Sequence, residues 1–148
     1  MASYQNKTIR WTLLALRVIL GAVFIYGGYV KLREPWALFA MGIDSYHLVP
    51  FRFVEPLART LPWFEVGVGV LLIVGLWLRV SSSAVSLMLV VFMTAMVHAY
   101  AKGQEISCGC FGPGEPISKW TMLRDGSMLA ASLFVTWMAP LRRPRRMA

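Results

Sequence analysis

The chain has 148 residues, 57% apolar and 15% charged, with a mean hydropathy of +0.60. Soluble domains run at about 45–50% apolar and about 25% charged, so an ordinary water-soluble globule is excluded and one membrane domain over residues 1–148 is expected. The net charge of +8 does not indicate nucleic acid, because no polar domain collects it: Arg142, Arg143, Arg145 and Arg146 crowd the tail behind an apolar segment, a pattern that sets topology and meets anionic headgroups.

Four segments read as transmembrane helices. The first, at about 11–31, holds Arg17 within its apolar run and is long enough for a ~30 Å hydrocarbon core. Lys7 and Arg10 precede it as in a cleaved leader, but the run exceeds the ~7–15 residues of a leader's apolar region and no small-residue cleavage site follows. Residues 31–60 are mixed, with Pro35, Pro50 and Pro56; within them Pro35 to Met41, followed by Gly42, predicts a short interfacial helix. The second span, about 61–78, includes Glu65. The third, about 80–100, has His98 near its end, and Arg79 with its neighbours makes the tight turn between the two. The fourth, about 122–141, opens on Arg124 and Asp125, with Ser118 as N-cap and Pro140 and Pro144 helping to end it. Because lipid cannot satisfy backbone polar groups, runs of this length are helices, and they lack the alternation of barrel strands.

The expected fold is therefore all-α: a four-transmembrane-helix bundle, up-down-up-down, with both termini cytoplasmic. Lys7, Arg10, Arg79 and the arginine tail share one face, and positive residues mark the cytoplasmic side. The loop over 101–121 then faces outside, where disulfides persist.

That loop carries both cysteines of the chain, Cys108 and Cys110, around Gly109. Two cysteines so close can form a very small disulfide ring, closed through the φ > 0 freedom of glycine. Such a ring is a poor staple, since stabilisation grows with loop length, and strained disulfides are labile and oxidising. Lys102, Lys119 and Arg124 are near enough in sequence to favour a thiolate. The alternatives are a passive pair and a soft-metal site for Cu(I) or Hg. Met93 and Met96 lie one turn apart, but a methionine pair in an apolar helix packs more often than it ligates, and no metal ligand is assigned.

Antiparallel helices also bring Lys31, Glu65, His98, Arg124 and Asp125 to one depth in the outer third of the bundle. Ionisable groups there cost free energy unless paired or hydrated, which makes them a candidate charge or proton network. The blander reading has Lys31 and Arg124 snorkelling to headgroups and His98 hydrogen-bonding at the interface. Glu65 is expected to pair with Lys31, Arg124 or both. Arg124 and Asp125, as sequence neighbours, are expected on different helix faces, each pairing with another helix. Arg17 lies in the inner half and is expected to snorkel.

At these residues the chain resembles the DoxX-like superfamily, in its branch of methylamine-utilisation protein MauE-like membrane proteins. The likeness rests on Gly27-Gly28-Tyr29-Val30-Lys31-Leu32 with Pro35, Leu61-Pro62-Trp63-Phe64-Glu65, Cys108-Gly109-Cys110-Phe111-Gly112, Trp120 and Arg124-Asp125, and covers residues 10–140. The resemblance implies a four-helix bundle in the plasma membrane and thiol–disulfide handling outside the cytoplasm, with an exported thioredoxin-like protein as partner. Superfamily relatives are associated with quinone-linked sulfur oxidation, which implies a quinone as cofactor. Quinone-coupled disulfide-generating bundles use two cysteine pairs. This chain has one, so a full relay needs the partner's cysteines. Three functions follow as expectations: a membrane thiol–disulfide oxidoreductase with Cys108 and Cys110 as its catalytic pair, a non-enzymatic assembly subunit, or a soft-metal transporter or chaperone.

Overall fold

A computed structural model describes residues 2–105 and 116–138, with side chains from Lys7 onward. Among the described residues there are five α-helices and no strand: α1 (Ala2–Arg33), α2 (Trp36–Ser45), α3 (Phe51–Val74), α4 (Leu78–Ala101) and α5 (Lys119–Met138). Three of them, α1 over Lys7–Arg33, α3 and α4, are long and apolar enough to cross a membrane. Their outward faces carry exposed Ile19, Val74, Leu87 and Val91, an all-round apolar surface suited to lipid rather than to water. The fourth expected span is different. α5 packs along α4 and α1, but its first seven residues include Lys119, Arg124 and Asp125, and over the described residues it does not join the other three on composition.

The helix pairs run antiparallel. Going up α1 from Arg17 to Lys31, the contacts on α3 run back from Leu72 to Glu65. Ser86 of α4 meets Ser132 and Thr136 of α5 through hydroxyl contacts of 3.0 and 3.5 Å, the kind of polar link that joins helices in lipid. The α1–α3 crossing is close because it is glycine-lined: a methyl group added at Gly69 would lie 2.7 Å from the Gly21 carbonyl oxygen. Leu20, Phe24, Val68, Leu72, Val85, Leu89 and Val135 fill the centre of the bundle.

Several boundaries differ from the sequence reading, for identifiable reasons. α3 begins ten residues before the expected 61, because Pro50 starts the helix and Pro56 and Pro62 are carried inside it. The carbonyl orphaned by Pro56 is that of Arg52, at the exposed end of the helix, where the loss of one backbone bond is tolerated. The interhelical turn lies at Gly75–Trp77 rather than at Arg79. Gly75 (φ +83°) and Trp77 (φ +46°) are left-handed, and Arg79 stands exposed in the first turn of α4. The predicted short helix after Pro35 is α2, and it packs back on α3 through Ala40, Val54 and Ala58. α5 starts at Lys119, three residues early, with Ser118 as the expected N-cap: its Oγ accepts from the Thr121 N–H at 3.2 Å. The cysteine pair, Pro140, Pro144 and the arginine tail lie outside the described residues.

Arg17 does not snorkel. It is 6% exposed. Its Nε donates to the Leu72 carbonyl at 3.1 Å and its Nη2 to the Ile73 carbonyl at 3.4 Å. The last carbonyls of a helix have no partners in their own helix, and a cation there also meets the negative end of the helix dipole. Arg17 thus caps α3 from a neighbouring helix, and its guanidinium lies against Gly75, where a Cβ would collide with it.

Candidate functional site

All five helices converge on a buried ion pair. Lys31, in the last turn of α1, and Glu65, midway along α3, are 4% and 3% exposed. Lys31 Nζ donates to both Glu65 oxygens, at 2.7 Å to Oε1 and 2.8 Å to Oε2. Two aromatic rings complete the ammonium's surroundings: Phe39 of α2 has its ring centre 5.1 Å from Nζ, and Phe92 of α4 5.5 Å. The quadrupole of an aromatic face attracts a cation, more so where water is excluded. Glu65 therefore pairs with Lys31, as the sequence suggested, and Lys31 is buried rather than snorkelling.

A cavity of about 30 Å³ lies beside the pair, lined by Phe24, Lys31, Glu65, Phe92, Asp125 and Met128 among others. Such a volume admits one or two water molecules where polar groups line it. Asp125 enters from the second turn of α5 and is 2% exposed. It accepts from Arg124 Nε at 3.1 Å, with the Arg124 side chain 29% exposed. Expected on different helix faces, the two residues do line different hollows, and they are also bonded to each other, because the long arginine side chain bends back to its neighbour's carboxylate. Among the described residues Lys31 thus stands against Glu65 and Arg124 against Asp125.

Of the predicted network, the fold brings Lys31, Glu65 and Asp125 to one cavity, with Arg124 tied to its edge. It does not bring in His98, which is exposed in the last turn of α4. Among the described residues, no group of three or more His, Cys, Asp or Glu side chains could hold a metal ion. Met96 is packed in the interior. Phe39 and Phe92 were not legible beforehand, because their role depends on tertiary placement. For Arg17 the available clue was a lone guanidinium in an apolar span.

On the outer side of the same wall a second hollow opens between α1 and α5. It measures about 380 Å³ and is lined by Val23, Trp120, Leu123, Arg124, Ser127 and Met128. Val23 and Met128 line both hollows. Arg124 faces the outer groove and Asp125 the inner cavity, so their 3.1 Å hydrogen bond links the two spaces.

The helices and this cluster define a helical membrane protein with ion pairs in its interior. The sequence profile of the family described as methylamine utilisation protein MauE matches residues 9–138, and the chain belongs to that family. A curated relative, the methylamine utilization protein MauE of Methylorubrum extorquens, is 27% identical over 114 residues, 75% of this chain and 61% of that protein. The chain thus spans about three-fifths of the length of the curated relative it matches. No solved structure matches the chain.

Proposed function

We propose that this chain is a membrane thiol–disulfide relay that serves an exported thioredoxin-like protein, with Cys108 and Cys110 as its exchanging pair. One observation carries the reading. The Cys108-Gly109-Cys110 string precedes α5, and the first two turns of α5 supply Arg124 and Asp125 to the buried cluster. A small disulfide ring is suited to exchange rather than to stapling. The family and the curated relative are both named for methylamine utilisation, which supports a place in that process. The wider likeness to DoxX-like proteins supports a quinone as electron carrier.

In this reading α5 is the fourth span, both termini are cytoplasmic, and the cysteine loop faces outside the plasma membrane. A partner thiolate attacks the Cys108–Cys110 disulfide and forms a mixed disulfide. The partner's second thiol then resolves it, leaving this chain as the dithiol and the partner oxidised. Regenerating the disulfide releases two electrons and two protons. A quinone, when bound, would supply the two-electron oxidising capacity that this step needs. The residues of this chain hold the charge: Lys31 fixes Glu65, Arg124 fixes Asp125, and the cavity between the carboxylates has room for a water to carry a proton.

Replacing Cys108 and Cys110 by serine together tests the reading. Maturation of the exported partner should stop while the protein remains inserted at normal abundance. Intact maturation would leave a non-enzymatic assembly role and remove the relay.

A further inference from the structure

We infer that α2 is a hinged lid over the Lys31–Glu65 pair: it swings off α3 as a unit, carries Phe39 away from Lys31, and lets water reach the buried ammonium and the cavity beside it. Lys31 lies in the last turn of α1, and the next residues, Leu32, Arg33 and Glu34, are exposed. The surface therefore begins one residue beyond a side chain that is itself 4% exposed. α2 follows directly and meets the pair through Phe39, whose ring centre lies 5.1 Å from Lys31 Nζ. The same lysine lines the cavity of about 30 Å³. Moving Phe39 away thus opens a way to the ammonium first and to the cavity behind it.

The attachment of α2 favours movement as a unit. Its apolar contacts form a cluster of their own, with Ala40, Val54 and Ala58 buried and Phe39, Ile43 and Val49 packed against them. This cluster is separate from the bundle core around Leu72 and Val85. Two of its three buried residues are alanines, so little apolar area holds the lid down. α2 packs on α3 and touches α1, while Leu38 and Met41 stay exposed. It starts at Pro35 with no side-chain cap and runs out into His47, which is left-handed at φ +53°; helix-end positions of this kind absorb the dihedral changes of a hinge. A unit with so few buried contacts opens well below the free energy of global unfolding. The Arg59 guanidinium of α3, 4.4 Å from the centre of the Trp36 ring, is a latch at the surface. Closed, the lid excludes water and strengthens the ion pair; open, it lets protons exchange with the cavity. Proton entry during the relay rests on the proposed function, whereas the lid itself does not.

The test is the rate at which a water-soluble acetylating ester modifies Lys31 in the purified full-length protein in bicelles, read by mass spectrometry. Lys102 and Lys119, both exposed, are the internal reference. In wild type Lys31 should react far more slowly than either. Ala40→Asp puts a carboxylate between α2 and α3 without touching the ion pair, and should raise the rate at Lys31 about tenfold or more. Arg59→Gln, which removes the latch, should raise it about two- to fivefold. Ala40→Cys with Ala58→Cys, in the Cys108→Ser/Cys110→Ser protein, locks the lid when oxidised. It should then label Lys31 about tenfold more slowly than when reduced. Lys31 reacting as fast as Lys102 in wild type, no effect of Ala40→Asp, or equal rates with the lock oxidised and reduced would overturn the lid. So would a rise at Lys31 matched by faster hydrogen exchange along α1, α3 and α4 alike, since the whole bundle would then be opening. The labelling does not involve Cys108 or Cys110. Intact partner maturation in their double serine variant would therefore reject the relay and leave the lid standing, and lost maturation with no lock effect would do the reverse.

Discussion

Removing one member of the Lys31–Glu65 pair should cost far more than removing both. Glu65→Met leaves an ammonium that is 4% exposed without the carboxylate that accepts its bonds at 2.7 and 2.8 Å. Lys31→Met leaves the carboxylate, itself 3% exposed, and also loses the contacts with the Phe39 and Phe92 rings. Breaking a buried pair from one side costs about 3–5 kcal/mol, whereas replacing both partners with apolar residues of similar volume is often neutral or stabilising. Each single variant should therefore lose about 3–5 kcal/mol, and the double variant should recover most of it, a coupling of at least about 2 kcal/mol. Reversible unfolding of the purified proteins in bicelles, for wild type, both singles and the double, measures all four corners. Additivity within about 0.5 kcal/mol would refute the buried pair as described.

Three further outcomes follow from the packing and the topology. Gly69→Ala should destabilise the α1–α3 crossing by about 1–3 kcal/mol as an overpacked site, because the new methyl meets the Gly21 carbonyl oxygen at 2.7 Å. Gly67→Ala, with no atom within 4 Å of its added methyl, should be neutral or gain up to about 1 kcal/mol from helix propensity; thermal melts in detergent compare them. Arg17→Lys should lose stability, since an ammonium lacks the fork that reaches both the Leu72 and Ile73 carbonyls, and Gly75→Ala should do the same at its positive φ and against Arg17; equal melting points for wild type and both variants would remove the cap. A membrane-impermeant maleimide should label reduced Cys108 or Cys110 in intact cells, whereas labelling only after permeabilisation would reverse the topology.

What was legible in the sequence follows the reach of each signal. The spans of α1 and α4 are long apolar runs, and the run alone locates them. Pro56 hid the start of α3, because a proline ends a helix in most contexts and is carried through where its orphaned carbonyl, here that of Arg52, lies at an exposed end. The pairing of Glu65 was foreseeable from cost, since a carboxylate inside a span needs a cation, and Lys31 lay at the matching depth. Depth does not specify direction around a helix axis, so His98, at a similar level, turned outward. Arg17 looked like the snorkelling residues near the interfaces because its partners are backbone carbonyls of another helix, which no side-chain pattern announces. The link between Arg124 and Asp125 was missed because helical spacing separates neighbours, whereas a long flexible side chain overcomes that separation.

The central claim is exchange between this chain and an exported thiol protein, and a mixed-disulfide trap tests it most directly. Cells carrying Cys108→Ser or Cys110→Ser alone are quenched in acid, alkylated and separated without reductant. The account predicts that one of the two variants accumulates a covalent adduct with a thioredoxin-like exported protein, and that reductant dissolves it. If both variants are inserted and neither forms such an adduct, while the wild-type pair keeps one redox state as the partner is oxidised, the relay is contradicted.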